Sequence, residues 1–553
     1  MPEVTTDHER LIELVSSIPA EDRRAIFGTK RFLDLHRLCG GNDEDLSDSL
    51  VPKYVVALEG SRVLANRAAL SAMLQALPSE ILANLSKRYL EKPFERAGDN
   101  ALALASRPLT TSSEFGGALL GALGLNGDVV SDDKRLAVEE VDPIEPLPPL
   151  LDFQTDVKRQ CAALIELGER RFLIHMPTGS GKTRTALEVL VDLILGKGLL
   201  ASGRSVVWLA HTEELCEQAV DAFASVWAMR GNHRARIARL WGNYSQDRSS
   251  LTGAFVVAGT ARLHSMSKRH TELFGVLSRT AAAVVLDEGH RATAPTLLKL
   301  LRSFDEEARP LIIGLSATPG RSLGADAENK ALASVFNRKI VTPSLGDDPI
   351  GELRRRGILS AVTRVLLAYG EPKSIDAAAE DRSTEEEPDF SEGHLAQLAT
   401  NRARNEAILR TTIEQCRGGR QVIAFCCSVG HASLLAAALR LRGIRAEGID
   451  CSMARGPRRR AIVGFAEGRC DVLLNYGVLS TGFDAPKVST VIIARPTKSA
   501  VLYSQMVGRG LRGPAMGGTE TCTIIDVPDH LDRYGDLSRL HNEFAPYWTN
   551  TVT

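Results

Sequence analysis

The chain has 553 residues, 44% hydrophobic and 24% charged, a composition that excludes disordered and fibrous classes and calls for about three domain cores. Lysine and arginine number 67 against 68 acidic residues, for a formal charge of −1. That balance excludes an all-over electrostatic nucleic-acid binder, so any phosphate binding must use local basic patches.

Residues 1–98 predict helices, because Leu11, Leu14, Val15 and Ile18 recur at helical spacing, as do Ile81, Leu82, Leu85 and Leu90. No catalytic constellation is recognisable there. The first 30 residues are mixed polar and acidic and contain no secretory h-region. No stretch approaches the ~20 uncharged apolar residues that span a membrane. The 9 cysteines show no CxxC or other metal-ligand spacing, and an odd count without a signal sequence suits a reducing cytoplasm. A soluble cytoplasmic protein with no membrane partner is expected. From Ala97 to about Val141 the chain is rich in Gly, Ser and Asp. DPIEPLPPL (142–150) then reads as a stiff proline linker that separates an independent helical core from the next domain. A helical N-terminal domain is therefore expected over 1–145, its role unassigned and open to a protein partner.

Residues 146–345 alternate short apolar strands with helical segments, as a parallel doubly wound sheet requires. Candidate strands are 172–176, 206–210, 255–258, 282–286 and 311–315. A second set, in a domain spanning 416–553, covers 422–425, 445–449, 472–475, 491–494 and 523–526. Between them, 346–415 reads as an inter-lobe linker with an acidic surface insertion over 374–392. The fold class is α/β: two tandem RecA-like parallel-sheet lobes preceded by a mainly helical N-terminal domain. Two basic clusters, Arg230/His233/Arg234/Arg236/Arg239 and Arg455/Arg458/Arg459/Arg460, are either phosphate-binding patches or solvated helix faces.

The chemistry sits at strand ends. MPTGSGKT (176–183) follows an apolar strand and opens a helix. Gly179 and Gly181 permit turns that aim the N–H groups of Thr178–Thr183, Ser180 among them, at phosphate oxygens. Lys182 supplies charge for the β- and γ-phosphates of ATP, and the Thr183 hydroxyl is placed to ligate Mg²⁺. Met176 breaks the strict GxxxxGK[ST] pattern at its first position. In LDEGH (286–290), Asp287 would hold Mg²⁺ and Glu288 would orient and deprotonate the attacking water. His290 completes that box. Ser316 and Thr318 in LSATP (315–319) offer hydroxyls suited to relaying nucleotide state between lobes. Gln154, just past the proline linker, is spaced to read the adenine edge. In QMVGRGLR (505–512), Arg509 and Arg512 suit the charge of a transferring phosphoryl group, with Gln505 and Gly508 strengthening that reading over a salt-bridged helix.

Over roughly residues 150–528 these motifs resemble superfamily 2 helicases of the DEAD/DEAH-like class, and most of all the helicase portion of type III restriction subunits and RadD-like repair helicases. The resembling stretches are GLSATPGR (314–321), ELRRRGILS (352–360), VLSTGFDAPKVSTVI (478–492) and RPTKSAVLYSQMVGRGLR (495–512). The resemblance implies that Asp484 lies near the ribose. It also implies that His211, Thr260, Arg262, Ser480 and Thr481 face the nucleic-acid backbone, a contact without sequence preference. The box is DEGH, and Gly289 is expected to change little because it stays small. No aromatic lies between Phe115 and Phe153, so the upstream aromatic of DEAD-box RNA helicases is missing. About forty residues follow Arg512, too few for the nuclease domain of restriction subunits. The function expected from the resemblance is an ATP-dependent DNA helicase or translocase using ATP and Mg²⁺. The alternatives are an RNA helicase, or a nucleic-acid-gated ATPase switch that recruits partners, as in bacterial genome defence, without unwinding.

Overall fold

The computed structural model describes residues 7–109, 113–126, 138–141, 149–244, 246–320, 326–367, 369, 390–453, 455–478, 485, 487–497, 499–527 and 549–550. In chain order the strands are β1 (Val138–Val141), β2 (Arg171–His175), β3 (Ser205–Ala210), β4 (Ala235–Leu240), β5 (Phe255–Gly259), β6 (Ala281–Asp287), β7 (Leu311–Ser316), β8 (Lys339–Val341), β9 (Ala361–Leu366), β10 (Gln421–Phe425), β11 (Ala446–Asp450), β12 (Val472–Tyr476), β13 (Val488–Ile493), β14 (Thr521–Asp526) and β15 (Thr549–Asn550). Among the described residues they build two sheets, ordered β1-β4-β5-β3-β6-β7-β2-β8-β15 and β11-β12-β10-β13-β14-β9. Every pairing is parallel except that of β1 with β4 at one edge.

Parallel sheets covered by helices on both faces want apolar side chains at successive positions. SVVWLA of β3 and LIIGLS of β7 are buried throughout, which is why they read as continuous apolar runs. The fold is two parallel-sheet α/β lobes with a helical N-terminus. The functional loops of lobe 1 leave the carboxyl ends of β2, β3, β5, β6 and β7, the end where open α/β sheets bind ligands. Among the described residues no helix is long and apolar enough to cross a membrane.

Among the described residues, eight N-terminal α-helices lie between Asp7 and Leu123. Instead of forming an independent core, they share one apolar cluster with lobe 2. The lobe 2 helix Val429–Arg440, VGHASLLAAALR, is apolar nearly all round and is buried over most of its length. A helix of that kind needs cover on both sides. One side lies on the second sheet, and the other meets the helices Thr29–Leu38 and Val51–Glu59. Polar ties reinforce the contact: Arg440 Nη1 donates to Ala57 O at 2.7 Å, and Arg442 Nη2 donates to Leu38 O at 2.7 Å. Arg62 also pairs with the buried Asp450 at 3.3 Å.

The first basic cluster is not a solvated helix face, and in the second Arg458 is buried. Arg234, Arg236 and Arg239 lie in or beside β4, and Arg239 is fully buried and paired with Glu139 of β1 at 2.6 Å. Arg234 pairs with Glu140 at 3.0 Å, while Arg230 bridges Glu188 and Asp192 at 2.6 Å each. In the second cluster, Arg458 crosses between lobes to Glu214 at 2.7 Å and Glu213 at 3.4 Å. The acidic insertion lies, up to residue 389, outside the described residues.

Candidate active site

The loop after β2 enters the helix Lys182–Lys197 through two glycines in the left-handed region, Gly179 at φ 85° and Gly181 at φ 83°. A Cβ on Gly181 would stand 2.3 Å from Gln154 Nε2, so a side chain there would displace that amide as well as strain the backbone. Gln154 is buried and spans two elements. Its Nε2 donates to Ser180 O at 2.9 Å, and its Oε1 accepts from Leu151 N at 3.0 Å. Both ends of that amide are therefore engaged with backbone in this structure, a supporting role for the loop that the sequence does not reveal.

Asp287 and Glu288 stand where β6 ends. Glu288 has φ 57°, a left-handed backbone that is rare and costly for a side-chain-bearing residue. The twist turns its carboxylate inward, where Gln505 Nε2 donates to Glu288 Oε2 at 3.2 Å from the opposite lobe. His290 Nδ1 lies 3.3 Å from the same oxygen and 3.2 Å from Ser316 Oγ. Ser316 Oγ gives its own proton to Thr318 O at 2.5 Å, so the His290 proton sits on Nδ1 and is donated. Thr318 N donates back to Ser316 Oγ at 3.1 Å. Box, serine and threonine are thus one network beneath the second lobe's glutamine. His211, beyond β3, lies beside this box. Burial, then the Arg291 charge, holds its imidazole down at about 4, so it is neutral at physiological pH. Thr260 and Arg262 open the helix Thr260–Arg269 after β5, both half-buried, with Arg262 Nη2 3.5 Å from Tyr244 O.

The two adjacent carboxyls are driven apart in acidity. Burial, then the Glu288 charge, pushes Asp287 up to about 7. Burial also acts to raise Glu288, but Lys182, His290, His211 and Arg509 outweigh it and hold that carboxyl below the ordinary glutamate range. Glu288 is therefore the ionised member at neutral pH.

Gly289 corrects an expectation. A Cβ there would lie 2.8 Å from Leu173 Cδ1 and 3.1 Å from both Gly314 Cα and Leu315 N. The small residue is a packing requirement, since β2 and β7 close on it from behind. Gly289→Ala is expected to cost about 1–3 kcal/mol of stability, the range for overpacking a filled site. A denaturant midpoint equal to wild type would refute that account.

Lobe 2 completes a cleft of about 240 Å³, lined from one side by Thr178, Gly179, Lys182, Thr183, Asp287 and Glu288 and from the other by Gln505, Gly508, Arg509 and Arg512. Contact between the lobes is close. A Cβ on Gly508 would meet Thr178 Cγ2 at 2.5 Å, which explains glycine in that segment without any special torsion. Ala485 also lines the cleft, whereas Ser480, Thr481 and Asp484 lie outside the described residues. Gln218 and Arg184, which carry no motif signal, line it too.

Residues 148–321 match the family described as type III restriction enzyme, res subunit, and residues 404–513 match the helicase conserved C-terminal domain. These matches hold the phosphate loop, the carboxylate box and the arginine segment that meet in the cleft. The chain belongs to the superfamily 2 helicases. The chain is 26% identical over 391 residues to the putative ATP-dependent helicase IRC3 of Saccharomyces cerevisiae, covering 68% of this chain and 51% of the relative. Its identity to the putative mitochondrial ATP-dependent helicase irc3 of Schizosaccharomyces pombe is 27% over 389 residues, covering 69% and 58%. The ATP-dependent RNA helicase dbp3 of Sclerotinia sclerotiorum is 26% identical over 440 residues, covering 73% and 66%. The match thus spans about half of the first of these relatives and about two thirds of the last. A fragment of a putative HsdR subunit of a type I restriction enzyme from Vibrio vulnificus aligns with a TM-score of 0.48 at 19% identity, covering 76% of this chain and 70% of that one.

Proposed function

We propose that this enzyme is a DNA translocase or helicase that hydrolyses ATP in the cleft between its lobes. The observation that carries the reading is the hydrogen bond from Gln505 to Glu288, which joins the arginine segment of one lobe to the carboxylate box of the other. Lys182 and the loop N–H groups bind the phosphates, and Glu288 orients water and takes its proton. Arg509 and Arg512 face the charge that develops on the transferring group. Gln154 holds the loop from beneath and Asp484 is assigned to the ribose. Ser316, Thr318 and His290 pass the state of the site toward the lobe interface. His211, Thr260, Arg262, Ser480 and Thr481 are assigned to the nucleic-acid side.

The donor set fits a divalent cation. Two adjacent carboxylates and the Thr183 hydroxyl line one cleft, and Asp287 is pushed up to about 7 by burial and by its neighbour's charge, a strain that a cation relieves. Thr183 and Asp287 would hold Mg²⁺, whose chemistry there is neutralisation of phosphate charge. Among the described residues no cluster of three or more His, Cys, Asp or Glu forms a metal cage, so the remaining ligands would come from nucleotide and water.

What supports DNA over RNA is the match of lobe 1 to a restriction-enzyme subunit family. The similarity to dbp3, an RNA helicase by name, supports the second reading. ATPase activity is expected to rise more with DNA than with RNA in a panel of single-stranded, duplex and forked substrates. The stimulation should fall steeply with salt, the log–log slope changing by about 0.7 to 0.9 per phosphate contact. If RNA outperforms every DNA tested, the RNA reading replaces this one.

A further inference from the structure

β9 leaves the inter-lobe segment and joins the second sheet beside β14, at the edge farthest from β11. At its start, Ser360 is fully buried, and its Oγ lies 2.7 Å from both Arg512 O and Thr519 O. One hydroxyl proton serves either carbonyl, so the group stitches together the two chain segments flanking the glycine-rich turn. Ser360 N donates to Leu511 O at 2.9 Å and Gly513 N to Ile358 O at 2.9 Å, which closes a short ladder around Arg512. The fit is tight: a Cβ on Gly513 would stand 2.3 Å from Gly357 O.

Four residues along β9, Arg364 holds the other end of the same segment. Its Nη2 donates to Tyr503 OH at 2.7 Å and to Asp526 Oδ2 at 2.8 Å. Tyr503 OH in turn donates to Asp526, at 3.2 Å to Oδ2. Asp526 is fully buried, and a buried carboxylate is tolerated only when charge and hydrogen bonds meet it. Tyr503 lies on the helix Ala500–Val507, two residues before Gln505. The strand also has a foot on lobe 1, because Arg356 Nη1 pairs with Asp152 at 2.7 Å at the start of the helix Asp152–Glu166 that carries Gln154.

We propose that β9 is a positioning clamp for the arginine segment, with Ser360 fixing the backbone at Arg512 and the Arg364–Asp526–Tyr503 triad fixing the helix that precedes Arg509. This inference rests on the assignment of Arg509 and Arg512 to the transferring phosphoryl group. Neither Ser360 nor Tyr503 itself lines the nucleotide cleft. They are positioning residues, and a misplacement of about 1 Å in such a segment is enough to slow chemistry by ~10²-fold.

The test is an ATPase cycle on the full chain with saturating nucleic acid, comparing Ser360→Ala, Ser360→Thr and Tyr503→Phe in wild-type and Arg509→Ala/Arg512→Ala backgrounds, with Arg509→Ala alone as the reference for the arginine assignment. Ser360→Ala and Tyr503→Phe are expected to lower kcat by about 10- to 100-fold, with KM for ATP within about twofold of wild type. Ser360→Thr keeps the hydroxyl and should recover most of the rate. In the Arg509→Ala/Arg512→Ala background the same changes should add less than about a twofold loss, because they act through groups already removed. Tyr503→Phe repeats the test from the other end of the segment if Ser360→Ala melts early. Wild-type kcat in both variants, with Arg509→Ala slow, overturns the clamp alone. So does an undiminished factor in the Arg509→Ala/Arg512→Ala background, since that marks a general structural loss. Wild-type kcat in Arg509→Ala removes the arginine assignment, and the clamp with it.

Discussion

Glu288→Gln is expected to bind ATP about as tightly as wild type and to hydrolyse it about 10²–10⁴-fold more slowly, the usual contribution of a positioned general base. The amide keeps the size of the side chain and an oxygen that can still accept from Gln505, now 3.2 Å away. What disappears is a carboxylate that Lys182, His290 and Arg509 hold ionised in a buried site. The backbone at Glu288, strained at φ 57°, is set by the packing of Gly289 against Leu173 and Gly314, so the amide inherits the same aim. Nucleotide affinity measured beside single-turnover hydrolysis separates binding from chemistry. Unimpaired hydrolysis would place the base elsewhere.

Removal of residues 1–126 is expected to cost lobe 2 its solubility or its cooperative unfolding. The helix Val429–Arg440 buries Leu435, Ala436, Ala438 and Leu439 in the cluster it shares with Leu35, Leu38, Val55 and Leu58. Uncovering side chains of this kind costs ~1.5–3 kcal/mol for each large one, against a total stability of ~5–15 kcal/mol for a typical protein. The buried Asp450 would also lose Arg62, and a buried carboxylate stripped of one partner is strongly destabilising. Solubility, apolar-dye binding and a denaturant transition of the truncated chain check this. A soluble truncated protein with a sharp transition and full nucleic-acid-stimulated ATPase would show that the shared cluster is dispensable. The proline-rich stretch before residue 150 suggests the opposite outcome, since stiff linkers usually part independent cores. A linker's composition, however, reports only its own stiffness and not what the domain beyond it packs against.

The phosphate loop, the carboxylate box and most strands of both sheets are legible in the sequence because each is dictated locally. A glycine-rich turn needs its glycines wherever it occurs, and a strand covered on both faces must be apolar throughout, as β3 and β7 are. β4 escapes that reading. ARIARL carries two arginines in six residues, and it is partners such as Glu139, 100 residues earlier in the chain, that let Arg239 sit in a buried strand. The same holds wherever the partner is remote. Gln505 and Glu288 are 217 residues apart, Arg458 and Glu213 245, and Arg440 and Ala57 383. Gly289 reads as one small residue among others until Leu173 and Gly314 stand behind it. By itself the sequence determined which groups can bind phosphate, hold a cation or accept a proton, because those capacities belong to residue type and local backbone. Which lobe the N-terminal helices cover, which arginines are committed to ion pairs and which strand grips Arg512 were decided only in the tertiary structure. Each depends on a surface or charge that the chain supplies from a distant position, and local propensity contains no record of that partner.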